Sequence, residues 1–155
     1  MYDCLRDVVC GHRPANAITY CWQSVDDIKD HMLYFLENHD EQRIASDFFC
    51  CDSFKAIPAL IVSALLQKNP FMLYAGQEFG ERGMDIEGFS GYDGRTTIFD
   101  YWMVDSLYRG FFDRRRLTMA EKQLMGIYNL VLNIASHEKA VVEGDFFDLM
   151  YVNPY

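Results

Sequence analysis

Apolar residues along the chain fall into two kinds of block, helical-period stretches and short unbroken runs. Over residues 2–9, Leu5, Val8 and Val9 recur at helical spacing and predict a first helix. Ser24 and Asp27 form a Ser-x-x-Asp start signal and predict a short helix to about Asp30. Residues 32–36 are an unbroken apolar run, the mark of a strand covered on both faces in a parallel sheet. Seven polar residues, Glu37 to Arg43, follow at once. The apolar stretch 57–66 is long enough for a buried helix, with Pro58 acceptable in its first turn. Asn69 and Pro70 stop it. Residues 71–75 then read as a second strand, leaving through Gly76, Gln77 and Glu78. The order strand, helix, strand over 32–75 predicts one right-handed βαβ unit.

Residues 76–97 form a long loop rich in Gly and Asp, and loops of that length in compact domains are functional or disordered. Thr118 and Glu121 make a capping box. The helix behind it carries Ala120, Leu124, Ile127, Tyr128, Val131, Ile134 and Ala135 on one face. After His137, the text Ala140-Val141-Val142 and Phe146-Phe147-Asp148-Leu149 reads as the first strand of another element. No internal repeat, low-complexity tract or domain linker interrupts the chain.

In parallel α/β architectures, ligands bind beyond the carboxyl ends of the strands. The polar clusters that end the two expected strands nominate Asn38, His39, Asp40, Arg43, Gln77 and Glu78; the plainer reading is that they solvate strand-to-helix loops. Other patterns point to less. Gly76, Gly80 and Gly83 do not spell GxGxxG, and no GK[ST] follows, so no phosphate cradle is expected. Asp85, Glu87 and Asp93 lack EF-hand spacing, and no metal site is assigned. His39 with Cys50 and Cys51 could suggest a nucleophilic pair, but cysteines beside Phe48 and Phe49 read as core. Arg114-Arg115-Arg116 reads as a solvated turn.

Composition narrows the partners. With 23 acidic against 14 basic residues the net charge is −9, which disfavours nucleic acid and anionic lipid surfaces. Neutral substrates such as sugars are compatible with it. The five cysteines form no CxxC pair and no zinc-spaced set. Their odd count reads as unbridged thiols in a reducing compartment. The first residues do not resemble a signal peptide, and the longest apolar run is too short to span a bilayer.

Two motifs carry a family resemblance. Phe35-Leu36-Glu37-Asn38-His39-Asp40 resembles the F-x-x-N-H-D signature after the seventh strand of the alpha-amylase family of glycoside hydrolases (family thirteen). Asn69-Pro70-Phe71-Met72-Leu73-Tyr74-Ala75-Gly76-Gln77-Glu78 resembles that family's eighth strand, which commonly reads P-x-x-Y-x-G-Q/D-E. Their order and separation agree, and Val142-Glu143-Gly144-Asp145-Phe146 resembles the passage into the family's C-terminal β-domain.

The resemblance implies an α/β fold, the C-terminal segment of a TIM-type (β/α)8 barrel with about two strands and three helices. Residues 1–137 would belong to the barrel and 138–155 to the start of the β-domain. It implies retaining chemistry on α-glucosidic linkages of starch-like glucans. Retention uses a nucleophile and an acid flanking the scissile bond. Asp40 matches a third carboxylate, which binds sugar hydroxyls and stabilises the oxocarbenium-like state, and His39 matches its neighbouring donor. Asn38, Arg43, Gln77 and Glu78 are the further substrate-binding candidates. The nucleophile and acid motifs have no counterpart here, so the chain alone should be inactive. No cofactor is expected in it, since the family's calcium site lies in a region it does not contain. The expected partner is an α-glucan, with self-association of the chain through uncovered strand edges. Two other readings stand beside this one: a non-catalytic glucan-binding or scaffold protein, and an independent α/β binding module.

Overall fold

The structure is a computed structural model that describes residues 1–85, 92–96, 98 and 103–153, with Tyr151 described by its backbone alone. It divides into two compact units. The first comprises residues 1–36, 58–72 and 131–155, and the second residues 37–57 and 73–130.

In the first unit, helix α1 (Tyr2–Val9) forms as its spacing predicts and buries Cys4 and Leu5. It packs on helix α2 (Ala17–Gln23). Strand β1 (Tyr34–Phe35) pairs in parallel with strand β2 (Phe71–Met72), in the register Tyr34 to Phe71. The Tyr2 ring stacks on Phe35 with centroids 5.2 Å apart. Helix α3 (Ile57–Leu65) tucks Ala59, Leu60, Ser63 and Ala64 inside, all but its first residue lying in this unit. The end of helix α5 (Met119–His137) and helix α6 (Lys139–Val142) complete it. Asp148 accepts hydrogen bonds from Thr19 Oγ1 (2.6 Å) and Trp22 Nε1 (3.0 Å), which ties the last segment to α2.

In the second unit, helix α4 (Asp105–Phe111) and the first turns of α5 stand beside two long loops. Ile44, Ala45, Cys50, Ala56, Phe79, Leu117, Leu124 and Tyr128 are its buried apolar residues among those described. Loop joins loop through the backbone: Arg43 N donates to Gly94 O (2.6 Å) and Gly94 N to Gly83 O (3.0 Å). Gly94 sits at φ +78°, and a Cβ there would lie 2.7 Å from the Ser46 side chain, so glycine is required on both counts.

These observations correct several expectations. The chain is not a barrel segment of two strands and three helices: among the described residues it has six α-helices and only two strands of two residues each. The expected strand 32–36 is shortened because Met32 closes the 3-10 turn Lys29–His31 and its carbonyl accepts from Asn69 Nδ2 (2.9 Å). The expected strand 71–75 is shortened because Tyr74 O accepts from Gln77 N (3.0 Å) and Gly76 turns at φ +95°. A side chain takes the Met32 carbonyl and a turn takes the Tyr74 carbonyl, so continuous apolar text does not extend the ladder. Ser24 does not start a helix: its hydroxyl donates to Cys21 O (2.7 Å), finishing α2. Ala140 to Val142 lie in α6, not in a strand. Ala120 is exposed, although Leu124, Tyr128 and Val131 are buried as their period predicts.

Candidate functional site

The turn Asn38-His39-Asp40 lies in the second unit, between two buried residues that fix its ends. Glu37 and Arg43 are each 1% exposed, and Arg43 Nη1 donates to a Glu37 carboxylate oxygen at 2.8 Å. The other Glu37 oxygen accepts from Ile44 N at 2.7 Å. Arg43 Nη2 donates to Thr96 Oγ1 (2.6 Å), and its guanidinium lies 4.2 Å above the Tyr74 ring centre. A buried charge is tolerated only when paired and hydrogen-bonded, and this geometry provides both. Burial pushes the Glu37 carboxyl up from the ordinary carboxylate range, with the Arg43 charge and the Ile44 N–H pulling against it.

Within the turn, Asn38 Oδ1 accepts from Asp40 N (2.8 Å) and Glu41 N (3.0 Å). This is an Asx turn, and it sends the next two side chains outward. His39 Nε2 lies 3.4 Å from Asp40 Oδ2, and the Asp40 side chain is 74% exposed. The tip therefore presents an ionisable acceptor and an imidazole to solvent on a backbone held from below.

The other candidates differ in access. Gln77 is buried, and its Nε2 donates to Tyr128 Oη at 2.9 Å. Glu78 is half-buried and accepts from Gly76 N at 3.0 Å. Burial pushes its carboxyl up, while the Gly76 N–H and the Arg43 charge oppose the shift. Arg43 thus acts electrostatically on Glu37 and Glu78 alike, although it is enclosed and not presented to a ligand. Burial, followed by the Glu37 charge, raises the Tyr128 phenol far above its ordinary value, which keeps it protonated.

Reading the polar text as a solvated loop missed Glu37, Thr96 and Tyr128 as the buried frame of this region, and the half-buried Tyr74 ring against Arg43. The one local signal was a Glu and an Arg bracketing Asn38-His39-Asp40. The remaining features resolve plainly. Asp93 forms a paired contact with Arg95 (2.7 and 3.0 Å), and Glu87 lies outside the described residues. The Cys50 thiol donates to Ile44 O and Asp52 O, as a structural cysteine does. Arg114 Nε donates to Gly110 O and Arg115 Nε to Asp113 Oδ1, so two of the three arginines bond within their own turn. A separate cavity of about 720 Å³ in this unit is lined by Glu81, Asp105, Ser106, Arg109 and Glu121 among others. There Ser106 donates to Glu81, and Arg109 grips Glu121.

Comparison with protein-family models, curated proteins and solved structures finds no match to this chain.

Proposed function

We propose that the chain handles α-glucosidic sugars, with Asp40 as the carboxylate that contacts sugar hydroxyls and His39 as the neighbouring donor. In this reading Asp40 is the stabilising carboxylate of a retaining glycoside hydrolase acting on starch-like glucans. The observation that carries it is the exposed His39–Asp40 pair on a turn pinned at both ends by the Glu37–Arg43 ion pair. Rigid support below an exposed polar tip is what a preorganised contact needs. The two motifs of the sequence support it further. The reading rests on that text and that turn, and requires no barrel.

The chain is not expected to cleave a glycoside by itself. Retaining cleavage needs a nucleophile and an acid about 5–5.5 Å apart across the bond. Glu37 is committed to Arg43 and the Ile44 amide, and Glu78 to the Gly76 amide. That commitment favours the second reading, a non-catalytic glucan-binding protein using the same tip.

The test is an NMR titration of the chain with a maltooligosaccharide. The expected result is weak, millimolar binding that moves the amide signals of His39 and Asp40 and disappears in Asp40→Ala. Unmoved signals at those residues up to saturating sugar overturn both readings. Release of reducing sugar that vanishes in Asp40→Ala would overturn the assignment of Asp40 as a contact only.

A further inference from the structure

Helix α4 ends in an exposed aromatic cluster that runs straight into three arginines, all within the second unit. Phe111 is 53% and Phe112 81% exposed, and Tyr108, one turn back, stacks on Phe112 with centroids 5.8 Å apart. The rings are held in place from beneath. Buried Phe79 meets Phe111 edge-on at 5.6 Å, and Phe112 N donates to Tyr108 O (2.9 Å). Arg114, Arg115 and Arg116 follow in a 3-10 turn that packs back on α4. Arg114 Nε donates to Gly110 O (2.9 Å), which fixes the fold-back and keeps the cations beside the rings. All three arginines are exposed. The Arg115 side chain, 94% exposed, reaches Asp113 at 3.3 Å. A solvated turn explains the arginines but not the three open rings next to them.

We propose that this knuckle is a docking surface for a short acidic peptide segment of another protein, with aromatic or large aliphatic side chains set between its carboxylates. It does not depend on the sugar reading. Aromatic and arginine side chains are the groups that anchor protein interfaces. The apolar side chains of the segment cover the rings, and its carboxylates meet the guanidiniums, which a carboxylate engages through two parallel hydrogen bonds. Arginine clusters are a recurring reader of acidic motifs. The charge of the rest of the chain decides the class of partner. The three arginines are already counted in the net charge of −9, so the surface away from them is more acidic still. A nucleic-acid strand or an anionic membrane extends past the knuckle and meets that repulsion. A short segment touches the knuckle alone, within a screening length of its cations.

The test is fluorescence anisotropy of the full chain with a labelled peptide, Glu-Phe-Glu-Glu-Phe-Glu. Beside it run two control peptides, one with serine for each Phe and one with lysine for each Glu. The expected dissociation constant for the acidic aromatic peptide is on the order of 100 µM at low salt, as suits a small patch. Both controls should bind at least roughly tenfold more weakly, and physiological salt should weaken the acidic peptide's binding. Phe112→Ser should weaken it about tenfold. Arg115→Glu combined with Arg116→Glu should lose the acidic peptide and gain the lysine version, a swap that an unfolded variant could not show. No binding of the acidic aromatic peptide at millimolar concentration overturns the proposal, as does equal binding of the serine version or binding that ignores both variants. Tighter binding of oligothymidylate, or of phosphatidylserine vesicles, overturns it in favour of a nucleic acid or a membrane. Self-association through Phe112 that excludes the peptide overturns it in favour of a second copy of the chain.

Discussion

Glu37 and Arg43 are both enclosed, so neither can lose its partner cheaply. Arg43→Met should cost about 3–5 kcal/mol, because it leaves a buried carboxylate without its cation. Changing Glu37 and Arg43 together to methionine should cost much less than the two single changes summed. Urea denaturation of the four proteins measures this, and additive losses would mean the pair does not act as a unit. Asp40 behaves oppositely. With its side chain 74% exposed, Asp40→Ala should change stability by no more than about 0.5 kcal/mol while removing the sugar response. Two glutamates give pH dependence of opposite sign. Burial raises Glu78, so the folded state binds its proton more tightly than the unfolded state does. Its contribution therefore falls as pH rises from the ordinary glutamate range through the folded pKa. For Glu121, burial would raise the carboxyl, but the hydrogen bonds from Arg109 and Thr118 and the Arg109 charge together outweigh it and lower the pKa. Its stabilisation is present above the ordinary range and is lost as pH falls through the folded value. Glu78→Gln should thus steepen the loss of stability on acidification, and Glu121→Gln should flatten it. Melting curves between pH 3 and pH 7 check both signs (a window chosen around the ordinary glutamate pKa).

At the scale of elements, local signals were more readable than distant ones. The start of α5 is such a local signal: Thr118 N donates to Glu121 Oε2 (2.7 Å) and Glu121 N to Thr118 Oγ1 (3.1 Å). Thr118→Ala should cost about 1 kcal/mol in thermal or urea unfolding. Helix α4 depends on Gly110, whose Cβ would lie 2.2 Å from the Phe79 ring. Gly110→Ala should therefore destabilise by roughly 1–3 kcal/mol despite the better helix propensity of alanine. A stability gain would show that the ring moves freely aside. The α4 contact was not legible, because it depends on a partner far along the chain, whereas the parallel pairing of β1 with β2 on either side of α3 follows the expected strand, helix, strand order, with strands shorter than expected. Ser24 shows the same weakness from the other side. Its Ser-x-x-Asp text suits a helix start, but its hydroxyl bonds back into α2. The candidate site divides in the same way. The polar exit at Asn38, His39 and Asp40 was visible as text, whereas the frame beneath it draws on Thr96, 53 residues beyond Arg43. Within the run of seven polar residues, only the Glu and Arg that bracket the turn hint at which two are buried.

At the scale of the whole chain, the surface decides behaviour in solution. The two strands form a sheet of only two strands, and a pair that short leaves both outer edges without a ladder partner in that sheet. Large apolar side chains also face water in both units, among them Phe112, which is 81% exposed, Met119 and Leu130 in one and Phe147 and Leu149 in the other. Scattered exposed apolar residues are ordinary, but Phe111 and Phe112 are consecutive and exposed, and Tyr108 stacks on Phe112 with centroids 5.8 Å apart. Against association stands a net charge of −9, whose mutual repulsion weakens as salt screens it. The two effects together predict weak self-association that strengthens with ionic strength. Sedimentation at micromolar concentration should give a weight-average mass above 18.1 kDa, rising between low and physiological salt. Phe112→Ser should lower that mass without lowering the melting temperature, since the ring contributes contact area but little burial within the chain. A monomer at every salt concentration would show that charge dominates and that these rings are tolerated singly in water. Association that is unchanged in Phe112→Ser would move the contact to the strand edges.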